Sequence, residues 1–216
     1  LAGLRMQADL AQRKDAGEEE LKQSLQQIGR ASVQATHTVN QLLSLARAEG
    51  AGAIDWQSCD MAALISEVLN DSLPHAMDKG LDLGYDGVDT EQKRRFVTVQ
   101  GNPTLLKEMI RNLVDNAIHY TPSTAERMGV ITVRLLVDPY SQALAVQVED
   151  NGPGIAAAER ERVFEPFYRA LGSNVDGSGL GLPIVREIAQ RHGATVTVEQ
   201  AHPGQTPPGA CFTIRF

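Results

Sequence analysis

The apolar positions along the chain keep one period up to about residue 50 and mix two periods after it. Before that point they recur at helical spacing. Residues 1–13 contain no proline and set Leu4, Ala8 and Ala11 on one helical face. Asp15-Ala16-Gly17 interrupts this first helix, and Glu18-Glu19-Glu20 then places acidic charge where a helix N-terminus favours it. From Leu21 a four-three alternation runs through Leu21, Leu25, Ile28, Ser32, Ala35, Val39, Leu42 and Ala46, and seven of these eight are apolar. A seam of that kind predicts a long helix packed on another helix. The first helix is too short to cover it. The seam points to a dimer, or to a hairpin whose first arm is truncated, with an ordinary intramolecular hairpin as the plainer reading.

Past residue 50 helical and alternating stretches interleave. Residues 51–59 follow Glu49-Gly50 without a pattern and read as a linker. Asp60 can cap a helix over 61–77, with Leu64, Ile65, Val68 and Leu69 on one face and Pro74 ending or kinking its last turn. A short strand is predicted at 96–99, and Pro103 can open a helix that then runs over 105–120. Residues 130–137 and 143–148 alternate as paired strands joined by Asp138-Pro139-Tyr140-Ser141. The glycine-rich stretch 151–181 holds one short helical piece. Residues 182–191 read as a helix closed by Gly193, and 195–199 and 211–216 as strands. The expected fold is an α/β two-layer sandwich over 60–216, its sheet mixed and mostly antiparallel, preceded by an α-helical hairpin over 1–50.

Composition narrows the function classes. The apolar share of 42% is enough to bury a core, and no stretch reaches the ~18 apolar residues of a membrane-spanning helix. The net charge of −7 falls entirely after residue 50, because residues 1–50 carry six basic and six acidic side chains. That distribution argues against nucleic acid as a partner. It leaves room for a nucleotide, which main-chain amides and a metal can hold locally. Cys59 and Cys211 lie far apart with no ligand spacing, and read as inert thiols of a reducing compartment.

Three stretches could carry chemistry. Glu108, Asn112 and Asn116 share one stripe of their helix, which suits a hard cation and phosphate as well as it suits a solvated face. Asp150-Asn151-Gly152-Pro153-Gly154 puts a carboxylate at a strand end followed by two glycines. It can receive an exocyclic amine, or it can simply be a β-turn. Gly177-Ser178-Gly179-Leu180-Gly181 opens into a helix whose first amides favour phosphate oxygens. Between the last two, Phe164 and Phe167 anchor a glycine-bounded loop that reads as a lid, or as core contacts under a long loop.

Taken together and in this order, the stretches resemble the ATP-binding domain of bacterial sensor histidine kinases, in the superfamily shared with gyrase, heat-shock and mismatch-repair ATPases. Asn112-Leu113-Val114-Asp115-Asn116-Ala117-Ile118-His119-Tyr120-Thr121-Pro122 is similar to the kinases' N box. Asp150-Asn151-Gly152-Pro153-Gly154 is similar to their first glycine box, Phe164-Glu165-Pro166-Phe167-Tyr168-Arg169 to their F box, and Gly177-Ser178-Gly179-Leu180-Gly181-Leu182 to their second glycine box.

The resemblance implies a Bergerat-type ATP-binding fold and a role for each position. Asn116 would ligate Mg²⁺, with Glu108 and Asn112 beside the phosphates or the metal. Asp150 would take the adenine amine, Gly152 and Gly154 would let the base approach, and Tyr120 would flank it. Gly177, Ser178, Gly179, Leu180 and Gly181 would contact phosphates, and Arg169 would reach the terminal one. The implied cofactors are ATP and Mg²⁺. The implied partners are a second copy, paired through the hairpin, and the receiver domain of a response regulator.

One departure weighs against the matches. The family's acceptor histidine lies in a box that would stand just before Leu1, and none of His37, His75, His119, His192 and His202 has the setting to replace it. The expectation is a soluble cytoplasmic portion of an inner-membrane sensor that binds ATP–Mg²⁺, does not phosphorylate itself, and reaches the membrane only through segments upstream. The rival readings are a nucleotide-responsive interaction module without transferase activity, and a serine kinase or ATPase of the same superfamily.

Overall fold

The computed structural model describes residues 17, 19, 21–26, 28–29, 32, 39, 43, 56–87, 97–138, 140–141, 143–169 and 178–216. The chain divides into two compact units, Leu1–Leu43 and Ser44–Phe216. In the first, the described residues from Glu19 onward are helical, and the helix is entered by a bond from the Leu21 amide to the Gly17 carbonyl. Leu21, Leu25 and Val39 of the predicted seam are exposed in the single chain. The predicted helix over 1–13, and Ala35, Leu42 and Ala46, lie outside the described residues.

Among its described residues the second unit carries a five-stranded sheet, a separate strand pair and three α-helices. Strand β1 (Gln57–Asp60) leads into helix α1 (Met61–Asp78), then β2 (Leu81–Asp86), β3 (Thr98–Gly101) and helix α2 (Pro103–Tyr120). The hairpin β4 (Gly129–Val137) and β5 (Leu144–Asp150) follows, then two single 3₁₀ turns at Ala157–Glu159 and Arg162–Phe164. Helix α3 (Gly181–Arg191) and strands β6 (Thr195–Gln200) and β7 (Ala210–Arg215) complete it. The main sheet runs β2-β4-β5-β7-β6, and β1 pairs separately with β3. Among the described strands only the β2–β4 pair is parallel, so the sheet is mixed and mostly antiparallel, as expected.

Pleat alternation places one sheet face against the helices. The register lines up Val133, Val148, Phe212 and Val198 across four strands, with Leu135, Val146, Ile214 and Val196 as the neighbouring row. Over these rows lie Met109, Ile110, Leu113 and Ile118 of α2 and Ile184 and Ile188 of α3, all fully buried. Arg134 and Glu149, one position out of phase on the opposite face, form an ion pair.

Several expected boundaries move. Strand β2 has no counterpart among the expected elements, and Gln57, Ser58 and Cys59, assigned to the linker, join the cap residue Asp60 in β1, which pairs residue by residue with β3. The strand expected at 96–99 lies at Thr98–Gly101. Helix α1 continues four residues beyond Pro74, since Ala76 beyond it is buried in the core. The short helical piece expected in the glycine-rich stretch is two 3₁₀ turns. Leu113 is buried at the centre of α2 with its volume fully used. Leu113→Ala should lower the unfolding free energy by about 3 kcal/mol, read as a shift in the urea midpoint with an unchanged slope.

Candidate nucleotide-binding site

Helix α2 begins where it does because Asn102 caps it: its side-chain oxygen accepts the Leu105 amide at 3.0 Å, and Pro103 occupies the first turn. That start sets which residues face the core. Glu108, Asn112, Asn116 and Tyr120 follow one another along a stripe beside the apolar face. Glu108, Asn116 and Tyr120 are half-buried, while Asn112 is 7% exposed. The Asn112 amide donates to the Glu108 carbonyl at 2.9 Å and to its carboxylate at 3.4 Å, so the two polar groups hold one edge together. Tyr120 meets His119 edge-on at 5.1 Å and borders an open cavity of about 470 Å³ with Pro122, Pro153 and Pro207.

Asp150 ends β5, 7% exposed. Its Oδ1 accepts two main-chain amides, Gly152 at 2.8 Å and Ala210 at 3.2 Å. Its Oδ2 has no protein donor among the described residues. Burial pushes the carboxyl up from the usual range. The two amides and the charge of His202 pull it down, and neighbouring Glu149 pushes it up again. A side chain at Gly152 would stand 3.0 Å from Asp150 Oδ1 and 3.2 Å from the Tyr120 carbonyl. Gly209, at φ +66, leaves even less room: a Cβ there would fall 2.0 Å from the Asp150 carbonyl. Gly154 lies against it at φ +74. The intervening Asn151 is spent on the sheet, its side chain accepting from Val130 and donating to Met128.

The lid-bounding residues divide. Phe164 is buried, edge-on to Phe212 at 6.3 Å, with the Arg186 guanidinium 4.6 Å from its ring centre. Phe167, expected as the second anchor, is 67% exposed at φ +64. It anchors through its main chain, its amide donating to the Gly179 carbonyl at 2.9 Å. Gly179 must be glycine there, because a Cβ would meet the Phe167 backbone at 2.8 Å. The left-handed conformation costs a bulky residue about 1–2 kcal/mol, and it turns the ring to solvent.

Arg169 is exposed, and Gly177 lies outside the described residues. Ser178 accepts the Leu180 amide at 3.2 Å. Leu180, grouped with the phosphate contacts on sequence, has its side chain fully buried, which leaves only its main chain for a ligand. Gly181 opens α3 with no side chain capping its first turn and no acidic residue in it.

The structure thus brings Glu108, Asn112, Asn116 and Tyr120 onto one edge of α2. Asp150, Gly152 and Gly154 come together at the end of β5, and Ser178, Gly179 and Gly181 at the head of α3. Gly209 and Ala210 were missed by sequence reasoning. They stand some sixty residues after Asp150, and nothing local marks a main-chain donor to a distant carboxylate.

Residues 101–216 match the family described as histidine kinase-, DNA gyrase B-, and HSP90-like ATPase. The sensor protein kinase PmrB of Pseudomonas aeruginosa is 34% identical over 194 residues, 89% of this chain and 38% of that protein. The chain therefore spans about two-fifths of that curated relative. The solved mycobacterial sensor histidine kinase MprB superposes with a TM-score of 0.62 at 30% identity, over 74% of this chain and 96% of that one. Histidine kinase ThkA, solved in complex with the response regulator protein TrrA, gives 0.74 over 100% of this chain and 56% of that one. At 20% identity that second likeness shows the fold alone. The chain belongs to the histidine kinase-, DNA gyrase B- and HSP90-like ATPase family, as a catalytic ATP-binding domain of the sensor histidine kinase kind.

Proposed function

We propose that residues 60–216 hold ATP with Mg²⁺ and transfer its γ-phosphoryl group to a histidine of a dimerisation hairpin, for relay to a response-regulator aspartate. The observation that carries the reading is Asp150. One of its oxygens is fixed by two amides, and the other is left to accept the exocyclic amine of adenine. Gly152 and Gly154 keep side chains away from the base, and Tyr120 flanks it. The amides at Gly179 and Gly181 and the uncapped start of α3 receive phosphate oxygens, and Arg169 reaches the terminal phosphate.

The donor set suits a hard divalent ion. Asn116 offers an amide oxygen with Glu108 and Asn112 beside it, and phosphate oxygens and water complete such a shell. Bound there, Mg²⁺ supplies neutralisation of phosphate charge. In the transfer, the bond from the γ-phosphorus to the β–γ bridging oxygen breaks as a bond to the histidine nitrogen forms, and ADP leaves. The protein's own residues orient the two reactants and exclude water, and none acts as a nucleophile.

The hairpin assigned to 1–50 fits pairing with a second copy, given the exposed seam residues. The receiver domain of a response regulator is the proposed downstream partner, supported by ThkA having been solved in complex with the response regulator protein TrrA. Among the described residues no helix is long and apolar enough to cross a membrane. We place the chain on the cytoplasmic side of a membrane-bound sensor, a reading supported by its likeness to the solved cytoplasmic segment of histidine kinase QseC.

The direct test mixes the chain with γ-labelled ATP, Mg²⁺ and a separately made hairpin carrying the acceptor histidine. Acid-labile label should appear on the hairpin. Acid-stable label would favour a serine kinase, and saturable binding with no transfer an interaction module. Asn116→Ala should weaken ATP binding about 10-fold with Mg²⁺ present and much less without it, read by titrating a fluorescent ATP analogue.

Asp150→Asn gives a prediction of opposite sign for stability and for binding. Burial raises the carboxyl in the folded state, so its favourable contribution is present at low pH and is lost as pH rises through the folded value. Asparagine keeps the oxygen that accepts both amides and carries no charge. The variant should melt at or above the wild-type temperature at pH 7, with the gap closing as pH falls, while ATP binding is lost. A variant that melts well below wild type at pH 7 contradicts the assignment.

A further inference from the structure

His192 follows the last residue of α3, and its ring is held on both sides. Nδ1 lies 2.7 Å from the Ile188 carbonyl oxygen one turn back. A carbonyl only accepts, so Nδ1 carries the proton. Nε2 is then the acceptor, and it receives the main-chain amide of Asn102 at 3.1 Å. The ring is buried, 9% exposed, and Trp56 packs against it with centroids 5.5 Å apart. Gly101 makes the approach possible, because a Cβ there would fall 2.7 Å from His192 Cδ2 and 2.8 Å from Leu106 Cδ1.

Asn102 is the cap of α2. Its side chain accepts the Leu105 amide, its carbonyl accepts the Leu106 amide at 2.9 Å, and its own amide goes to His192. One imidazole therefore joins the C-terminal end of α3 to the N-terminal end of α2. The two helices pack against each other. With those ends fixed, the eleven residues of α3 carry its first residue, Gly181, about 16 Å back along α2, to the level of Asn112 and Asn116.

We propose that His192 is a positioning residue of the nucleotide site: through Asn102 it sets the register between α2, which carries Asn112 and Asn116, and α3, whose first turn faces the phosphates. This rests on the ATP–Mg²⁺ reading of the site. A displacement of about 1 Å between groups that bind one ligand can cost up to 10²-fold in function, so a pin at the far end of the helix pair matters at the near end. Trp56 is the chain's one tryptophan, and its emission reports the pin directly.

The test uses His192→Phe, which keeps a ring against Trp56 but removes both hydrogen bonds, and His192→Gln, which offers Asn102 an amide oxygen at about the reach of Nε2. Circular dichroism and thermal melts establish that each variant is folded. ATP–Mg²⁺ binding should weaken roughly tenfold in H192F and return to within about twofold of wild type in H192Q. Amide exchange at Asn102 should accelerate in H192F and recover in H192Q. In the wild type, saturating ATP–Mg²⁺ should slow exchange at Asn102 and change Trp56 emission, a readout that needs no variant to fold. A folded H192F that binds ATP–Mg²⁺ as tightly as wild type overturns the inference, as does wild-type exchange at Asn102 that ignores the nucleotide. A wild type that binds no ATP overturns the reading of the site itself.

Discussion

Asp150 sits at the end of a central strand, nearly closed off from water, in a position where an ionised carboxylate is costly unless donors reach it. Two donors do, and they come from different parts of the chain. Gly152 belongs to the turn just after β5, and Ala210 begins β7. The β5–β7 register, with Glu149 opposite Cys211 and Val148 opposite Phe212, is what brings Ala210 alongside. The same junction explains Gly209, whose missing side chain lets the β6–β7 connection close over the Asp150 carbonyl. A strand pairing, a turn and a glycine are thus tied to one buried charge. The charge can be afforded because half of its hydrogen-bonding capacity is met by protein.

Helix α2 answers a related constraint. One face supplies Leu106, Met109, Ile110, Leu113 and Ile118 to the core, and the edge beside it carries Glu108, Asn112 and Asn116. A buried amide such as Asn112 destabilises a helix unless it is satisfied, and the Glu108 carbonyl and carboxylate one turn earlier do so. The polar edge is therefore built before any ligand arrives. Its height relative to α3 is decided at the other end of the helix, where Asn102 and His192 meet.

Among the described residues between the two glycine boxes, the two phenylalanines hold the chain in different ways. Phe164 packs into the core beneath Arg186, and Phe167 gives up its packing to hold Gly179 through its backbone. The paired aromatics of the motif do unlike work: one buries area, and the other accepts an unfavourable φ to bring two loop ends together. Leu180 adds a second buried anchor directly before α3, so the segment between is bounded at both ends by core contacts.

Much of this was legible in the residues. The alternation at 130–137 and 143–148 marks β4 and β5, the Asn102-Pro103 pair marks the start of α2, and the motif order identifies the family. Strand β2 was readable in principle, since Leu81, Leu83 and Tyr85 alternate with Asp82, Gly84 and Asp86. It is short, and nothing before or after it alternates to reinforce the signal. The sequence by itself determined which residues can bury, which can turn and which can carry charge, because side-chain chemistry and local period are written along the chain. Only the tertiary structure decided that Ala210 supports Asp150, that Phe167 faces solvent, and that His192 caps the cap of another helix. The first and last depend on groups 60 and 90 positions apart, and Phe167 on a backbone angle tied to Gly179 twelve positions on, and no local pattern encodes either.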